Sequence, residues 1–234
     1  MGDKKEHVRD MFNSIAQSYD LLNHTLSFSF DRRWRRKVIA LVRKDGAQRV
    51  LDVATGTGDM AIELVRSGVK NVVGVDLSQA MVAVGRKKIT ARGLDAQIEL
   101  QEQDVEQLTF PDNHFSAVTC SFGARNFEHL DRGLSQMQRV IAPEAGCYVL
   151  EFSTPQRGLW GAMYGFYFHH VLPLIGRMVS GNKKAYTYLP NSVDGFLSGE
   201  AFLDRMRAAG FQRCSLHSLM GGIATIYIGY KIKQ

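Results

Sequence analysis

A glycine-rich turn beside several carboxylates is the part of this sequence whose residue types and spacing point most directly to chemistry. The run Gly56–Ala61 fits the pattern G-x-G-x-x-G/A and follows the apolar run Val50–Ala54. Asp76 lies twenty positions after Gly56, at the end of the next apolar run. Glycines in such a turn let a ligand approach the backbone, and an acid at this distance accepts hydrogen bonds from ribose hydroxyls. The pattern therefore predicts a nucleotide-like ligand.

Two cofactors fit this spacing, a dinucleotide such as NAD and S-adenosyl-L-methionine (SAM). A dinucleotide places its pyrophosphate at the helix N-terminus, yet Asp52 precedes the turn and Asp59 lies within it. Two carboxylates would repel a pyrophosphate, whereas they suit the ammonium and sulfonium groups of SAM. We therefore favour SAM, with Asp52, Gly56 and Gly58 among its binding residues. The alternative, a turn capped by Asp59 without any ligand, is weakened by the position of Asp76.

Two further polar positions fit the same ligand. Asp104 and Val105 follow the third apolar run, where a carboxylate and a backbone N–H would meet the amino group and a ring nitrogen of adenine. Ser121 ends the fourth run, where the methionine part would pass. Each residue alone is equally compatible with a solvated turn. Together with the glycine turn they predict a cleft.

These residues must be positioned by alternating strands and helices. Five β-branched runs predict strands over 50–54, 71–76, 96–100, 115–121 and 147–152, and apolar spacings of three and four predict helices over 59–67, 78–92 and 130–141. Such alternation is typical of a doubly wound parallel α/β sheet. After a helix over 200–209, the runs 211–219 and 223–231 are separated by Met220–Gly222 and predict a hairpin. We therefore expect the class I SAM-dependent methyltransferase (Rossmann-like) fold, with seven mostly parallel strands and one antiparallel strand.

The composition indicates one soluble domain over residues 1–234. The chain is 45% hydrophobic, and its net charge of +6 suggests an anionic partner, either nucleic acid or a membrane surface. The N-terminus lacks the apolar core of a secretory signal, so we expect a cytoplasmic protein. The three cysteines lie far apart in strand-like runs, and we interpret them as buried thiols rather than zinc or redox ligands: Cys120, Cys147 and Cys214.

Two aromatic-rich blocks, 1–48 and 154–198, lie outside the alternating pattern. We expect both to be helical and to cover the carboxyl ends of the strands, where ligands of open α/β sheets bind. Within the second block, Leu159–Val179 is nearly long enough to span a membrane. The segment contains Pro173 and Arg177, so we expect one or two broken helices that are buried or lie on an apolar surface.

The loop after the fourth strand bears on the methyl acceptor. Enzymes that methylate base amino groups commonly have a Pro-Pro-aromatic motif here, whereas this chain has Ser121–Phe127 without proline. We therefore expect no nucleic-acid substrate.

The sequence resembles the ubiquinone/menaquinone biosynthesis C-methyltransferases over nearly its whole length, most closely those that act on demethylmenaquinone. The resemblance rests on an N-terminal group, the glycine turn, the loop after the fourth strand, and two later segments: Tyr19-Asp20 with Asn23, Ser27, Asp31 and Trp34; Leu51–Asp59; Ser121–Gly123 with Arg125-Asn126; Arg139-Val140 with Leu150–Ser153; and Tyr186, Tyr188, Leu189 and Ser192. The chain departs from the family at Leu22 and in the turn Ala142–Ala145. The resemblance implies SAM contacts at Thr57, Asp76, Asp104, Val105 and Ser121.

The activity implied by the resemblance is SAM-dependent methylation of a quinol ring carbon, converting demethylmenaquinol to menaquinol. The alternatives are the ubiquinone reaction, both reactions, or another small aromatic acceptor. The ring carbon becomes nucleophilic once a neighbouring hydroxyl ionises, so Arg125 would stabilise the oxyanion while Asn126 and Tyr19 orient it. Without the resemblance, a surface ion pair is the commoner role for an arginine such as Arg125. The base is left open between His129, Asp20 and water.

A polyprenylated quinol would also give Leu159–Val179 a purpose. An interfacial helix would let the enzyme take quinol from the bilayer, although an ordinary buried helix is an equal alternative. In such a peripheral association, a basic run would face the anionic headgroups of the membrane. More commonly, such a run is simply the solvated face of a helix. The run consists of Arg32, Arg33, Arg35, Arg36 and Lys37.

Overall fold

A computed structural model describes residues 3–20, 29–153, 165 and 183–233. The strands are β1 (Arg49–Val53), β2 (Asn71–Asp76), β3 (Ile98–Glu102), β4 (Phe115–Ser121), β5 (Ile141–Phe152), β6 (Gln212–Leu219) and β7 (Ala224–Tyr230). The α-helices are α1 (Asp3–Ile15), α2 (Phe30–Lys44), α3 (Asp59–Arg66), α4 (Gln79–Thr90), α5 (Leu130–Val140), α6 (Lys183–Asp194) and α7 (Glu200–Ala208).

The seven strands form one sheet in the order β3-β2-β1-β4-β5-β7-β6. The first five strands run parallel, and β7 runs antiparallel to both β5 and β6. The predicted hairpin is confirmed, and its connection Met220–Gly222 has positive φ at all three residues, at 46°, 67° and 99°. The predicted architecture, mostly parallel with one antiparallel strand, is therefore confirmed.

Neighbouring residues of a strand point to opposite sides, and the inner strands of the sheet are buried on both sides. Val50 packs with α2, α3 and α4 on one side, and Leu51 packs with α5 and α7 on the other. Tyr148 and Val149 divide in the same way on β5. Helices thus cover both faces, as a doubly wound sheet requires.

Apart from β2 and β4, the strand boundaries differ from the prediction, by one or two residues everywhere except at the start of β5. β1 ends at Val53 rather than Ala54, because Ala54 adopts φ 53° and leaves the extended conformation. β3 begins at Ile98 rather than at residue 96. β5 begins at Ile141 rather than at residue 147, with a register shift against β4 and with Glu144 at φ 64°.

The three cysteines are free thiols in β4, β5 and β6, but Cys214 is only partly buried, so the prediction of a buried thiol is wrong for that residue. Cys120 and Cys147 are buried, and burial raises the pKa of each thiol, so both stay protonated. No α-helix among residues 3–20, 29–153 and 183–233 combines the length and hydropathy needed to cross a bilayer. Apart from Gly165, the segment Leu159–Val179 lies outside the described residues.

Candidate functional site

A cleft of ≈ 770 Å³, measured to its open mouth, lies at the carboxyl ends of β1–β4. Parallel strands bring their carboxyl ends to one edge, so residues far apart in the chain meet there. Its wall includes most of the residues singled out from the sequence: Tyr19, Gly56, Asp76, Asp104, Val105, Ser121 and Asn126. Helix α1 supplies another part of the wall through Lys5, Val8, Arg9 and Phe12.

Asp76 both shapes the glycine turn and faces the cleft. Its Oδ2 accepts a hydrogen bond from the backbone N–H of Gly56 at 2.8 Å, and its Oδ1 accepts one from Ser78 N–H at 2.9 Å. Burial raises the pKa of the Asp76 carboxyl, although these backbone donors lower it. Gly56 adopts φ 57°, where a side chain would be strained. The turn therefore presents backbone rather than side chain to the ligand.

A second cavity of ≈ 370 Å³ lies beside the first. The two share wall residues at the ends of β1 and β4, and the ring of Tyr19 lies at both. The second cavity is lined by polar groups, among them Arg35, Asp52, Thr57 and Asp59. Gly58 lines neither cavity; it closes the turn, with its N–H donating to Thr55 O at 2.9 Å.

The sequence suggested two uncompensated negative charges at this cavity, whereas both carboxylates have partners within the protein. Asp59 pairs with Lys88 at 2.7 Å and with Arg35 at 3.4 Å, so the protein compensates its charge. Asp52 is 1% exposed and accepts hydrogen bonds from Thr55 Oγ1 at 2.6 Å and Thr119 Oγ1 at 2.7 Å. Burial raises the pKa of Asp52 to about 6. The two carboxylates would therefore repel a pyrophosphate less than the sequence predicted.

Lys88 joins the N-terminal segment to the glycine turn. Its Nζ donates to Asp20 Oδ2 at 2.5 Å and to Thr57 Oγ1 at 2.9 Å, and the Thr57 hydroxyl donates to Asp20 Oδ1. The buried Thr57 side chain is thus engaged away from the larger cleft. Tyr19, the neighbour of Asp20, lies 3.9 Å from where a Cβ on Gly56 would be. Burial raises the pKa of Tyr19 to about 12, so its hydroxyl stays protonated at neutral pH.

Asp104 is tied to helix α1. Its Oδ1 accepts from Glu106 N–H at 2.9 Å, and its Oδ2 forms an ion pair with Lys5. Lys4 on the same helix donates to the backbone oxygen of Phe127 at 2.7 Å. We did not identify the two lysines from the sequence, where a charged N-terminus resembles any solvated helix. Helix α1 therefore closes one side of the cleft with charged contacts.

Arg125 is not a surface residue, so its interpretation as a surface ion pair is wrong. Its side chain is 7% exposed, and Nη1 donates to the fully buried Glu151 at 2.9 Å. Nε donates to Ser192 Oγ at 3.3 Å, and Nη1 also donates to Phe122 O. We did not identify Glu151 as a site residue, although it lies next to the end of β5 within a segment of the resemblance. Arg125 lines neither cavity, but its hydrogen bond to Phe122 O ties it to a residue in the walls of both.

Asn126 lies in a short 3₁₀ turn, Ala124–Asn126, and faces the cleft. Its Oδ1 accepts a hydrogen bond from the hydroxyl of Tyr188 at 3.0 Å. Tyr188 lies on α6, so this bond joins the loop after β4 to the later segment of the resemblance. Two segments that the sequence analysis singled out, about sixty residues apart, therefore meet at the side-chain amide of Asn126.

The candidates for the base are not at the cavity walls. Among the described residues that line the two cavities, neither His129 nor Asp20 appears. His129 precedes α5, where its backbone N–H donates to Glu106 Oε1 at 2.8 Å. Of the basic run, Arg35 is buried and faces the second cavity, so its assignment to a headgroup-facing surface was wrong.

The loops after β1 and β4 form a tight cradle with one unsatisfied polar atom. A Cβ on Gly123 would lie 2.3 Å from Cβ of Ala54, so only glycine fits. Ser121 Oγ is buried at the wall of both cavities and has no hydrogen-bond partner among the described residues. A buried hydroxyl without a partner is costly, and a polar ligand would satisfy it. The residues present therefore fit a polar nucleoside cofactor.

Comparison with known proteins agrees with this geometry. Residues 1–231 match the model of the ubiE/COQ5 methyltransferase family. The chain is 47% identical to a demethylmenaquinone methyltransferase of Deinococcus radiodurans over 230 residues, covering 98% of this chain and 94% of that protein. It is 46% identical to a ubiquinone/menaquinone biosynthesis C-methyltransferase of Geobacter sulfurreducens over 231 residues, covering 98% and 90%.

A solved SAM-dependent methyltransferase from Thermotoga maritima has the same fold. The two structures superpose with a TM-score of 0.69 at 17% identity, covering 95% of this chain and 99% of that one. At this identity the likeness supports the fold alone.

Proposed function

The chain belongs to the ubiE/COQ5 methyltransferase family, and from that premise we propose that it methylates a ring carbon of demethylmenaquinol to give menaquinol. It is a SAM-dependent C-methyltransferase. The observation that carries the proposal is one cleft that joins the glycine turn with the unsatisfied Ser121 hydroxyl and with Asn126, on the loop that the Arg125–Glu151 ion pair holds. The relative from Geobacter sulfurreducens keeps the ubiquinone reaction as the alternative.

The cofactor-binding residues are proposed from their places on the wall. Asp76 would accept hydrogen bonds from the ribose hydroxyls, and Asp104 with the N–H of Val105 would meet the adenine edge. The Ser121 hydroxyl, which has no hydrogen-bond partner among the described residues, would form a hydrogen bond with the bound ligand. When bound, SAM supplies an electrophilic methyl group that passes to the ring carbon and leaves S-adenosylhomocysteine.

The protein must favour the ionised quinol hydroxyl and let one ring proton leave for each methyl gained. Tyr19 and Asn126 face the cleft and are positioned to donate hydrogen bonds to a quinol oxygen. Arg125 acts from behind them: its guanidinium fixes the loop through Phe122 O and Glu151, and its positive charge favours an anion in the cleft. Neither His129 nor Asp20 lines the two cavities, so water is the acceptor of the ring proton that we favour among the three candidates.

The role of Arg125 is tested by Arg125→Lys and Arg125→Gln. We expect Arg125→Gln to lower kcat for demethylmenaquinol roughly 100-fold and to shift the rise of kcat to higher pH, because an oxyanion loses its nearby charge. Arg125→Lys should restore part of kcat and most of the pH profile. Arg132→Gln, an exposed arginine on α5, serves as the matched control.

Binding of S-adenosylhomocysteine, measured by calorimetry, should change less than threefold in all three variants. Loss of that binding together with activity would show that Arg125 serves only the fold of the cleft. Unchanged kcat in Arg125→Gln would contradict the proposed role.

Peripheral association with the membrane is the second part of the proposal, since the substrate has a polyprenyl tail. Four basic side chains of α2 are exposed on one side of the molecule: Arg32, Arg33, Arg36 and Lys37. Trp34, between them in sequence, and Val38, directly after them, are buried against the core, so the basic side chains form the outer face of α2. That face suits anionic headgroups.

A further inference from the structure

We propose that Tyr188 is a positioning residue that sets the orientation of the Asn126 side-chain amide, so that its NH₂ group rather than its carbonyl oxygen meets the methyl acceptor. The inference deepens the proposed function and rests on it. Tyr188 lies on α6 and is not among the described residues that line the two cavities, so it acts on the acceptor only through another residue.

The amide of Asn126 has an acceptor end and a donor end, and a ligand on one side of it meets only one of them. Oδ1 accepts the hydrogen bond from the Tyr188 hydroxyl at 3.0 Å. Burial raises the pKa of Tyr188, so the hydroxyl keeps the proton that it donates. Asn126 lies at the wall of the larger cleft, and no described residue accepts a hydrogen bond from its Nδ2. Nδ2 is therefore the end of the amide that is available to a ligand.

This orientation matches the charge that develops in the proposed reaction. An ionised quinol oxygen only accepts hydrogen bonds, so an amide NH₂ group stabilises it, whereas an amide carbonyl oxygen repels it. An amide that is free to turn would present either end. An amide that is already fixed needs no reorganisation when the charge forms. The Tyr188 hydroxyl therefore keeps a donor in place for the oxyanion.

Two helices hold the turn that carries Asn126. Ser192 lies one helical turn after Tyr188 and accepts a hydrogen bond from Arg125 Nε at 3.3 Å, so α6 contacts two consecutive residues of the loop. Lys4 of α1 donates to the backbone oxygen of Arg125 at 3.2 Å. These contacts fix the loop around Asn126. The Tyr188 hydrogen bond then removes the freedom that remains, which is the rotation of the side-chain amide.

The test is a double-mutant cycle on kcat for demethylmenaquinol, with wild type, Tyr188→Phe, Asn126→Ala and the double variant. Tyr188→Phe removes the hydroxyl and keeps the ring, which packs against residues of α1. Tyr230→Phe is the matched control, because it also removes a hydroxyl that donates to a side chain, Asp45 at 2.8 Å. Tyr230 pairs with Gly146 near the start of β5, at the opposite end of the sheet from the cleft.

We expect Tyr188→Phe to lower kcat roughly 3- to 10-fold, the worth of one neutral hydrogen bond, with a smaller change in KM. The rise of kcat with pH should move to higher pH, because the oxyanion loses a fixed donor. Asn126→Ala should lower kcat roughly 10- to 100-fold, the worth of a hydrogen bond to a charged group. The double variant should match Asn126→Ala within twofold, and Tyr230→Phe should match wild type.

Calorimetry with S-adenosylhomocysteine measures whether the cofactor site is intact, and its Kd should change less than threefold in every variant. The inference would be overturned by wild-type kcat in Tyr188→Phe, or by weaker S-adenosylhomocysteine binding in that variant. An equal loss from Tyr188→Phe with and without the Asn126 amide would also overturn it, because Tyr188 would then act on the fold alone. A wild-type protein that binds S-adenosylhomocysteine but does not methylate demethylmenaquinol would instead refute the proposed function.

Discussion

At the end of β1, Asp52 is enclosed almost completely, and burial raises the pKa of its carboxyl from the ordinary 3.8 to about 6. Between these two pH values the folded protein keeps a proton that the unfolded chain loses. The free energy of unfolding therefore falls as pH rises through this window, and the stability lost in this way is not regained at neutral pH. A carboxylate kept at such a cost is typical of a residue retained for binding.

We predict that Asp52→Asn raises the free energy of unfolding at pH 7 by up to about 3 kcal/mol, since each pKa unit is worth about 1.4 kcal/mol. The fall in stability between about pH 4 and pH 6 should flatten as well. Urea denaturation at several pH values measures both effects. Asp112→Asn, which removes an exposed carboxylate paired with Arg139, is the control and should change neither. A less stable Asp52→Asn protein at pH 7 would contradict this account.

Glu144 is a second residue whose native conformation lowers the free energy of unfolding. It adopts φ 64° at the irregularity in β5, a conformation that strains side chains other than glycine. We predict that Glu144→Gly raises the free energy of unfolding by about 0.5–1 kcal/mol, since relief of strain exceeds the entropy that glycine loses. Asn113→Gly, at φ 57°, should have little effect because asparagine tolerates this region. Thermal unfolding of both variants decides the matter, and a lower Tm for Glu144→Gly would refute it.

At the scale of elements, the loops after β1 and β4 are packed against each other. A Cβ on Gly123 would lie 2.3 Å from Cβ of Ala54, and Ala54 itself has φ 53°. We predict that Gly123→Ala lowers the free energy of unfolding by about 2–3 kcal/mol through overpacking. Adding Ala54→Gly should recover most of that loss, because the clashing methyl is removed and glycine accepts the positive φ.

The control for this pair is Gly195→Ala, where a Cβ would meet nothing closer than 3.4 Å. Denaturant unfolding of the single and double variants measures the coupling between the two loops. Additive effects of Gly123→Ala and Ala54→Gly would mean that the loops do not compete for the same space.

Helix α1 closes the cleft through the ion pair between Lys5 and Asp104. We predict that Lys5→Met, which keeps the apolar stem, speeds dissociation of S-adenosylhomocysteine roughly 2- to 5-fold and affects association less, since exposed ion pairs contribute up to about 1 kcal/mol. Stopped-flow displacement measures both rates. Glu6→Gln on the exposed side of α1 is the control, and an unchanged dissociation rate in Lys5→Met would rule out this closing contact.

The sequence predicted these elements unevenly, for physical reasons. The sequence pattern identified every strand of the sheet. The inner strands β1, β4 and β7 are buried on both faces and are therefore almost continuously apolar, whereas β3 and β6 at the edges are partly exposed. The pattern could not place the start of β5, since Pro143 and Glu144 resemble a turn and only pairing with β4 makes them part of a strand. It also missed Glu151 and misassigned Arg35, because a charged residue in a sequence does not reveal whether its partner is solvent or another buried charge.

At the scale of the whole molecule, the basic face of α2 places four exposed positive charges on one side of the protein. We predict that the protein binds vesicles containing phosphatidylglycerol at low ionic strength and leaves them at high salt, because each basic residue near such a surface contributes about 1 kcal/mol. Replacing all four basic residues of this face by Gln should abolish the binding. The matched control replaces Arg9, Arg66, Arg132 and Arg205 by Gln, so the net charge is equal but the α2 face is intact.

Co-sedimentation with the vesicles measures this binding. Equal losses in the two sets of variants would show that net charge alone drives it. Binding that persists without the basic face would exclude α2 as the contact.

The two edge strands of the sheet, β3 and β6, also affect whether the chain aggregates while it folds at high concentration. The edge strand of an open sheet carries backbone groups that can pair with another molecule. Exposed charged or polar side chains lie along both edges, with Glu99 and Glu102 on β3 and Arg213 and His217 on β6, where pairing with β7 is also irregular near Gln212. These features discourage edge-to-edge pairing. They would let newly made chains stay dispersed while the slow, long-range strand pairings of the sheet are completed.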